Sequence, residues 1–174
     1  MYDYQVMKIN STDLWNSVWT EHQPDSVQTI LAEERKTVRW RKIDRHIVKA
    51  FGSFTSLNVI EIGAGSGTYS ALMASLGAHV TLLDYSENAI NVAREFFMEA
   101  DLPATFICDD ALRMSSGRYE QYDVAMSFGL TEHFKGPKRF AINKAHFDLL
   151  RPGGGNDLLC PKLLVCSIPT VEDS

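Results

Sequence analysis

Basic excess, long apolar runs and paired cysteines are all missing from this chain. Seventeen Lys and Arg face 22 Asp and Glu, a net charge of −5. A general nucleic-acid binder needs a broad positive surface, so no nucleic-acid partner is expected. No segment approaches the roughly 20 apolar residues of a membrane span, so no membrane is expected either. Met1 to Asn10 lacks the basic-then-apolar pattern of a secretory signal. The three cysteines, Cys108, Cys160 and Cys166, are odd in number and lack metal-ligand spacing. With no His/Cys/carboxylate cluster, no metal is expected. Internal repeats and low-complexity stretches are absent too. What remains has 174 residues, 45% hydrophobic and 22% charged. These values predict one reduced, cytoplasmic globular domain with a real core.

The first 57 residues read as helical. Thr12 or Asp13 caps a short helix with Leu14, Trp15 and Val18, and Pro24 breaks it. Asp25 or Ser26 caps the next. Trp40, Ile43, Ile47, Ala50 and Phe51 then recur at helical spacing until Gly52. From Asn58 onward, strands and helices alternate. The strands are 58–62, 80–84, 105–108, 123–128 and 163–168. The helices are 68–76, one capped by Ser86 with inner face Ile90, Ala93 and Phe97, and 137–150 with Ala141, Ala145, Phe147 and Leu149 inside. Such alternation gives a parallel sheet with right-handed crossovers and helices on both faces. Ligands then bind beyond the carboxyl ends of the strands.

The first strand runs into Glu61-Ile-Gly-Ala-Gly-Ser-Gly67. Glycines at Gly63, Gly65 and Gly67 remove the Cβ atoms that would hold a ligand off the backbone, and they permit φ > 0. The second strand ends at Asp84 beside this bend. A carboxylate there accepts from both hydroxyls of a ribose. The arrangement is suited to a nucleoside. The dinucleotide fingerprint G-x-G-x-x-G fits poorly, because its third glycine falls on Thr68. Glu61 would also repel a pyrophosphate, whereas it suits a ligand with an amino group.

Acidic-x-Gly-x-Gly-x-Gly resembles motif I of the class I S-adenosylmethionine-dependent methyltransferases. The resemblance runs from about Val59 to Gly154. It takes in Val80 to Ile90 with Asp84, Phe106 to Leu112 with Asp110, Tyr122 to Phe134, and Leu149-Leu-Arg-Pro-Gly-Gly. It implies an α/β fold: a Rossmann-like three-layer sandwich with a mostly parallel sheet. It implies that residues 1–57 form a helical cap of the same domain and that 58–174 bind the cofactor. It implies methyl transfer from S-adenosylmethionine to a small-molecule acceptor, with S-adenosylhomocysteine as product.

Residue by residue, the resemblance implies that Gly63, Ala64, Gly65 and Gly67 let the backbone approach the ligand. Glu61 would hold its amino end. Asp84 would take the ribose, with Tyr85 beside the adenine. Asp110 and Ala111 would read the adenine edge, and Asp109 stays ambiguous between ligand and turn cap. Ser127 and Phe128 would floor the methyl site. His133, after Glu132, is a candidate base, or shapes the pocket. The alternatives are a non-catalytic remnant that binds the cofactor, and an NAD(P)-dependent oxidoreductase on the same scaffold.

Three features sit outside this pattern. Arg35 to Lys49 is rich in basic residues, which reads as a solvated helix face or as cover for an anionic small substrate. Tyr4, Trp15, Trp19 and Trp40 are core or acceptor-pocket aromatics. The family's sixth and seventh strands are missing after 163–168, and Gly153 to Pro161 is longer than the turn expected there. A bare fifth strand is a sticky edge, so a homodimer through it is expected.

Overall fold

The computed structural model describes residues 26–114, 120–152 and 163–166. The expected helix around Leu14 to Val18, the aromatics Tyr4, Trp15 and Trp19, and the Gly153–Pro161 turn lie outside the described residues.

Two capped helices open the described chain. Ser26 accepts from the Thr29 N–H at the start of α1 (Val27–Glu34), and Thr37 accepts from the Trp40 N–H at the start of α2 (Val38–Phe51). Gly52, at φ 82°, ends α2. Then follow β1 (Asn58–Ile62), α3 (Thr68–Ala74), β2 (His79–Asp84), α4 (Glu87–Glu99), β3 (Thr105–Cys108) and β4 (Val124–Ser127). A 3₁₀ turn (Thr131–His133), α5 (Gly136–Leu149) and β5 (Leu163–Cys166) complete the order.

Helix α3 ends two residues earlier than its apolar pattern predicts. The Ala78 N–H bonds back to Met73 and the Gly77 N–H to Ala74, with Gly77 at φ 92°. This closing turn satisfies the last helix carbonyls and needs a left-handed residue. Helix α4 closes the same way at Asp101.

The five strands form one sheet in the order β3-β2-β1-β4-β5, and every pairing is parallel. The order reverses between β1 and β4, which makes their carboxyl ends a switch point. Strand alternation sorts the core into two layers. Val59, Val80, Leu82, Val124 and Met126 meet Ile43, Ile47, Leu72 and Phe97 from α2, α3 and α4. Ile60, Ile62, Leu83 and Ala125 meet Ile142, Ala145 and Leu149 of α5 on the other face. Helices on both faces of a parallel sheet make the three-layer α/β sandwich.

One face of α5 departs from expectation. Ala145 and Leu149 are buried, but Ala141 and Phe147 are exposed, and Ile142 and His146 take their places. The buried line 142, 145, 146, 149 follows one helical stripe, and 141 and 147 fall off it. His146 is fully buried, with Nδ1 2.7 Å from the Ile142 carbonyl. Burial lowers its pKa, so the ring is neutral.

Candidate functional site

The bend after β1 is stitched to β2. The Gly63 N–H donates to the Leu83 carbonyl at 2.8 Å, and the Gly65 N–H donates to Asp84 Oδ2 at 3.2 Å. The other Asp84 oxygen accepts from the Ser86 N–H at 2.9 Å. These bonds leave part of the carboxylate's lone-pair capacity for a ligand hydroxyl. Asp84 is 7% exposed, and burial raises its pKa despite these N–H donors.

Glu61 comes up beside it on β1. It is 3% exposed and accepts from Ser70 Oγ at 2.6 Å. Burial pushes its pKa up to about 7, the Ser70 hydrogen bond pulls the other way, and the nearby Asp84 charge adds to the rise. Such a carboxyl gains from a cation more than from any other neighbour.

Both carboxylates face one cavity of about 460 Å³ at the strand ends, a size suited to a small ligand or cofactor. Of the residues singled out from sequence, Glu61, Gly63, Ala64, Gly65, Asp84, Tyr85, Asp110, Phe128 and His133 line it. The structure thus brings together groups from four separate stretches of chain. Asp110 also braces its own turn, accepting from the Leu112 N–H at 2.9 Å and lying 3.5 Å from Arg113 Nε. Asp109 does not line the cavity: its Oδ1 accepts from the Asp110 N–H, and its own N–H donates to the Asp84 carbonyl at 3.0 Å. The Tyr85 phenol is pushed up to about 12, by burial first and then by Asp84 and Asp110, and stays neutral.

Gly67, Ala111 and Ser127 do not line the cavity. Gly67 is a glycine for packing. At φ 72°, a Cβ there would stand 2.0 Å from Leu82 Cδ2 and 3.2 Å from Phe97 Cε2. Ser127 is fully buried, because alternation along β4 turns it off the cavity. Ala111 packs against the α5 core layer.

Motif reasoning missed three lining residues that lie on helices. Arg39 of α2, Tyr69 of α3 and Lys138 of α5 also line the cavity. The Arg39 guanidinium donates to the Tyr69 hydroxyl at 3.3 Å and sits 5.8 Å from the ring centroid. The Tyr69 hydroxyl donates to Glu34, and its ring lies 4.4 Å from Phe128. Burial and Glu34 push the Tyr69 phenol up to about 12. The basic run at 35–49 was the available signal, but only the packing of α2 selects Arg39 from it.

A family model described as methyltransferase domain matches residues 59–154, more than half of the chain. The chain belongs to the methyltransferase domain family. Among its relatives is the ubiquinone biosynthesis O-methyltransferase of Stutzerimonas stutzeri, 35% identical over 117 residues, which are 67% of this chain and 47% of the relative. The protein of that name from Proteus mirabilis is 33% identical over 96 residues, 55% of this chain and 38% of the relative. The chain thus spans about half the length or less of these relatives. The fold resembles that of magnesium protoporphyrin IX methyltransferase from Synechocystis, solved with bound SAM, at a TM-score of 0.59 and 24% identity over 84% of this chain and 70% of that one. These matches favour neither the oxidoreductase nor the non-catalytic alternative. Among the described residues no helix is long and apolar enough to cross a membrane.

Proposed function

We propose that this chain transfers a methyl group from S-adenosylmethionine to a small-molecule acceptor. The observation that carries the reading is the set of charges along one cavity. Asp110, Asp84 and Glu61 stand at the ends of β3, β2 and β1, and Arg39 lines the cavity beside Tyr69, whose ring packs on Phe128 just past β4. Adenine, ribose, ammonium and carboxylate follow in that order along the cofactor. When bound, its sulfonium supplies an activated methyl group and a leaving group.

The chain's residues hold and orient. Asp84 accepts from the ribose hydroxyls with the lone pairs that Gly65 and Ser86 leave free. Asp110 and Tyr85 flank the adenine. Gly63, Ala64 and Gly65 admit the chain of the ligand to the backbone. Glu61 faces the ammonium and Arg39 the carboxylate, so the tail is read as a zwitterion. Phe128 and Tyr69 form an aromatic floor that excludes water, and their π faces suit a cation. Gly67, Ala111 and Ser127 support the site from behind, and His133 shapes the acceptor side. Helices α1 and α2 share their core with the sheet, which supports reading residues 1–57 as a cap of the same domain. A homodimer across β5, one of the two edge strands of the described sheet, extends the reading; a monomer in light scattering would refute it.

Binding is the first test. Calorimetry should show S-adenosylhomocysteine binding, 5′-methylthioadenosine binding more weakly, and NAD not at all. Replacing Arg39 by Met should weaken S-adenosylhomocysteine about tenfold and leave 5′-methylthioadenosine unchanged, since only the former has the carboxylate. Preference for NAD would point to the oxidoreductase instead.

Glu61 makes binding proton-linked. With its pKa near 7 in the free site, it is partly protonated at neutral pH. An ammonium beside it favours the ionised form, so binding releases a proton. Affinity should rise with pH up to about 7 and then level off, and the binding enthalpy should depend on buffer below pH 7. In the free protein the sign is opposite. The folded chain keeps a proton that the unfolded chain has lost above about 4.5, so this group's contribution to stability falls as pH rises from 4.5 to 7. Glu61→Gln should abolish both trends.

A further inference from the structure

Among the described residues, the wall left for the acceptor comes from one stretch of chain. The cavity's three carboxylates stand at the ends of β1, β2 and β3, and the function proposed above commits them to the cofactor. Beyond β4 the lining is Phe128, Gly129, Leu130, His133, Phe134 and Lys138.

Charge in this wall has one sign. Lys138 makes no ion pair among the described residues. Glu132, the carboxylate of the same stretch, does not line the cavity; it lies over Gly129, its Oε1 3.7 Å from where a Cβ would stand. Arg139 is engaged with backbone: its Nε donates to the Phe134 carbonyl at 2.7 Å, and a terminal nitrogen donates to the Glu132 carbonyl at 3.4 Å. These bonds hold the turn that presents His133 and Phe134, and they leave Lys138 as the stretch's cation at the cavity. Beside Lys138 the wall has one other polar side chain, His133; the rest is apolar, from Leu130, Phe134 and Phe128.

We propose that the methyl acceptor is an apolar or aromatic acid, with its anionic group facing Lys138 and its body against Leu130 and Phe134. The proposal rests on the methyltransferase reading. An amine of the same shape is protonated at neutral pH. It would meet Lys138 and the cofactor's sulfonium, and the described part of this wall offers it no carboxylate. Repulsion of the wrong charge and attraction of the right one act together in such a site. Lys138 is thus a specificity-determining residue for the acceptor.

Three probes of one shape test the charge: benzoate, benzyl alcohol and benzylamine, titrated by NMR into the protein saturated with S-adenosylhomocysteine. Benzoate should bind about fivefold more tightly than benzyl alcohol, the upper end for one exposed ion pair, and benzylamine should be weakest. Lys138→Gln should erase the order while S-adenosylhomocysteine binds as before, and Lys138→Arg should keep it. Benzylamine binding as tightly as benzoate, or an order unchanged in Lys138→Gln, would overturn the assignment. Failure of S-adenosylhomocysteine itself to bind would remove the methyltransferase reading and this proposal together, whereas its binding without any preference among the probes removes the proposal alone.

Discussion

Replacing Asp84 by Ala should weaken S-adenosylhomocysteine binding by at least tenfold and leave the fold almost as stable. The two effects separate because Asp84 has two tasks. Toward the ligand it offers charge-assisted hydrogen bonds, each worth about 1.5–3 kcal/mol when buried. Toward the protein it accepts from the Gly65 and Ser86 N–H groups. Burial raises its pKa in spite of those bonds, so the ionised form is held at a cost in the free protein. Removing the carboxylate leaves the Gly65 N–H at the cavity wall and the Ser86 N–H buried without this acceptor, and also removes that cost. The contributions oppose, and the melting temperature should move by only a few degrees. Calorimetry and thermal melts on the one variant check both statements. A large loss of stability with unchanged affinity would make Asp84 a structural residue.

Gly67→Ala should do the reverse. The added methyl meets Leu82 Cδ2 at 2.0 Å and Phe97 Cε2 at 3.2 Å, both in the core, at a backbone φ of 72°. Left-handed backbone costs a non-glycine residue about 1–2 kcal/mol, and forcing extra volume into a packed core costs about 1–3 kcal/mol. Together they lower stability by roughly 2–5 kcal/mol, or roughly 5–15 °C in Tm for a chain of this size. Gly67 does not line the cavity, so the fraction that stays folded should bind S-adenosylhomocysteine within a few-fold of normal. Gly52→Ala is the control: it shares a positive φ of 82° but has nothing within 4 Å, and so carries the backbone term alone.

The contrast between Gly67 and Gly65 shows what a sequence can convey. Spacing alone makes the three loop glycines look alike. What tells them apart lies far along the chain: Leu82 and Phe97 crowd the Cβ position of Gly67, Leu130 that of Gly63, while Gly65, at φ 55°, turns its N–H to the Asp84 carboxylate. The sheet was legible because buried parallel strands are short apolar runs bounded by glycine, proline and acidic residues, and their order in the chain fixes the crossovers. Glu61, Asp84 and Asp110 were legible as cavity candidates because strand ends converge wherever the sheet is parallel. Arg39, Tyr69 and Lys138 were not. They lie on helices, where the face turned toward the cavity depends on packing against the sheet. The same rotation misassigned Ala141 and Phe147 on α5, since a one-residue error moves a helical position by about 100°.

The most direct test of the account is a crystal structure with S-adenosylhomocysteine. The account predicts both ribose hydroxyls within about 3.2 Å of the Asp84 carboxylate, the amino group turned to Glu61 and the carboxylate to Arg39. Adenosine bound elsewhere, or bound in this cavity with its ribose away from Asp84, would contradict it.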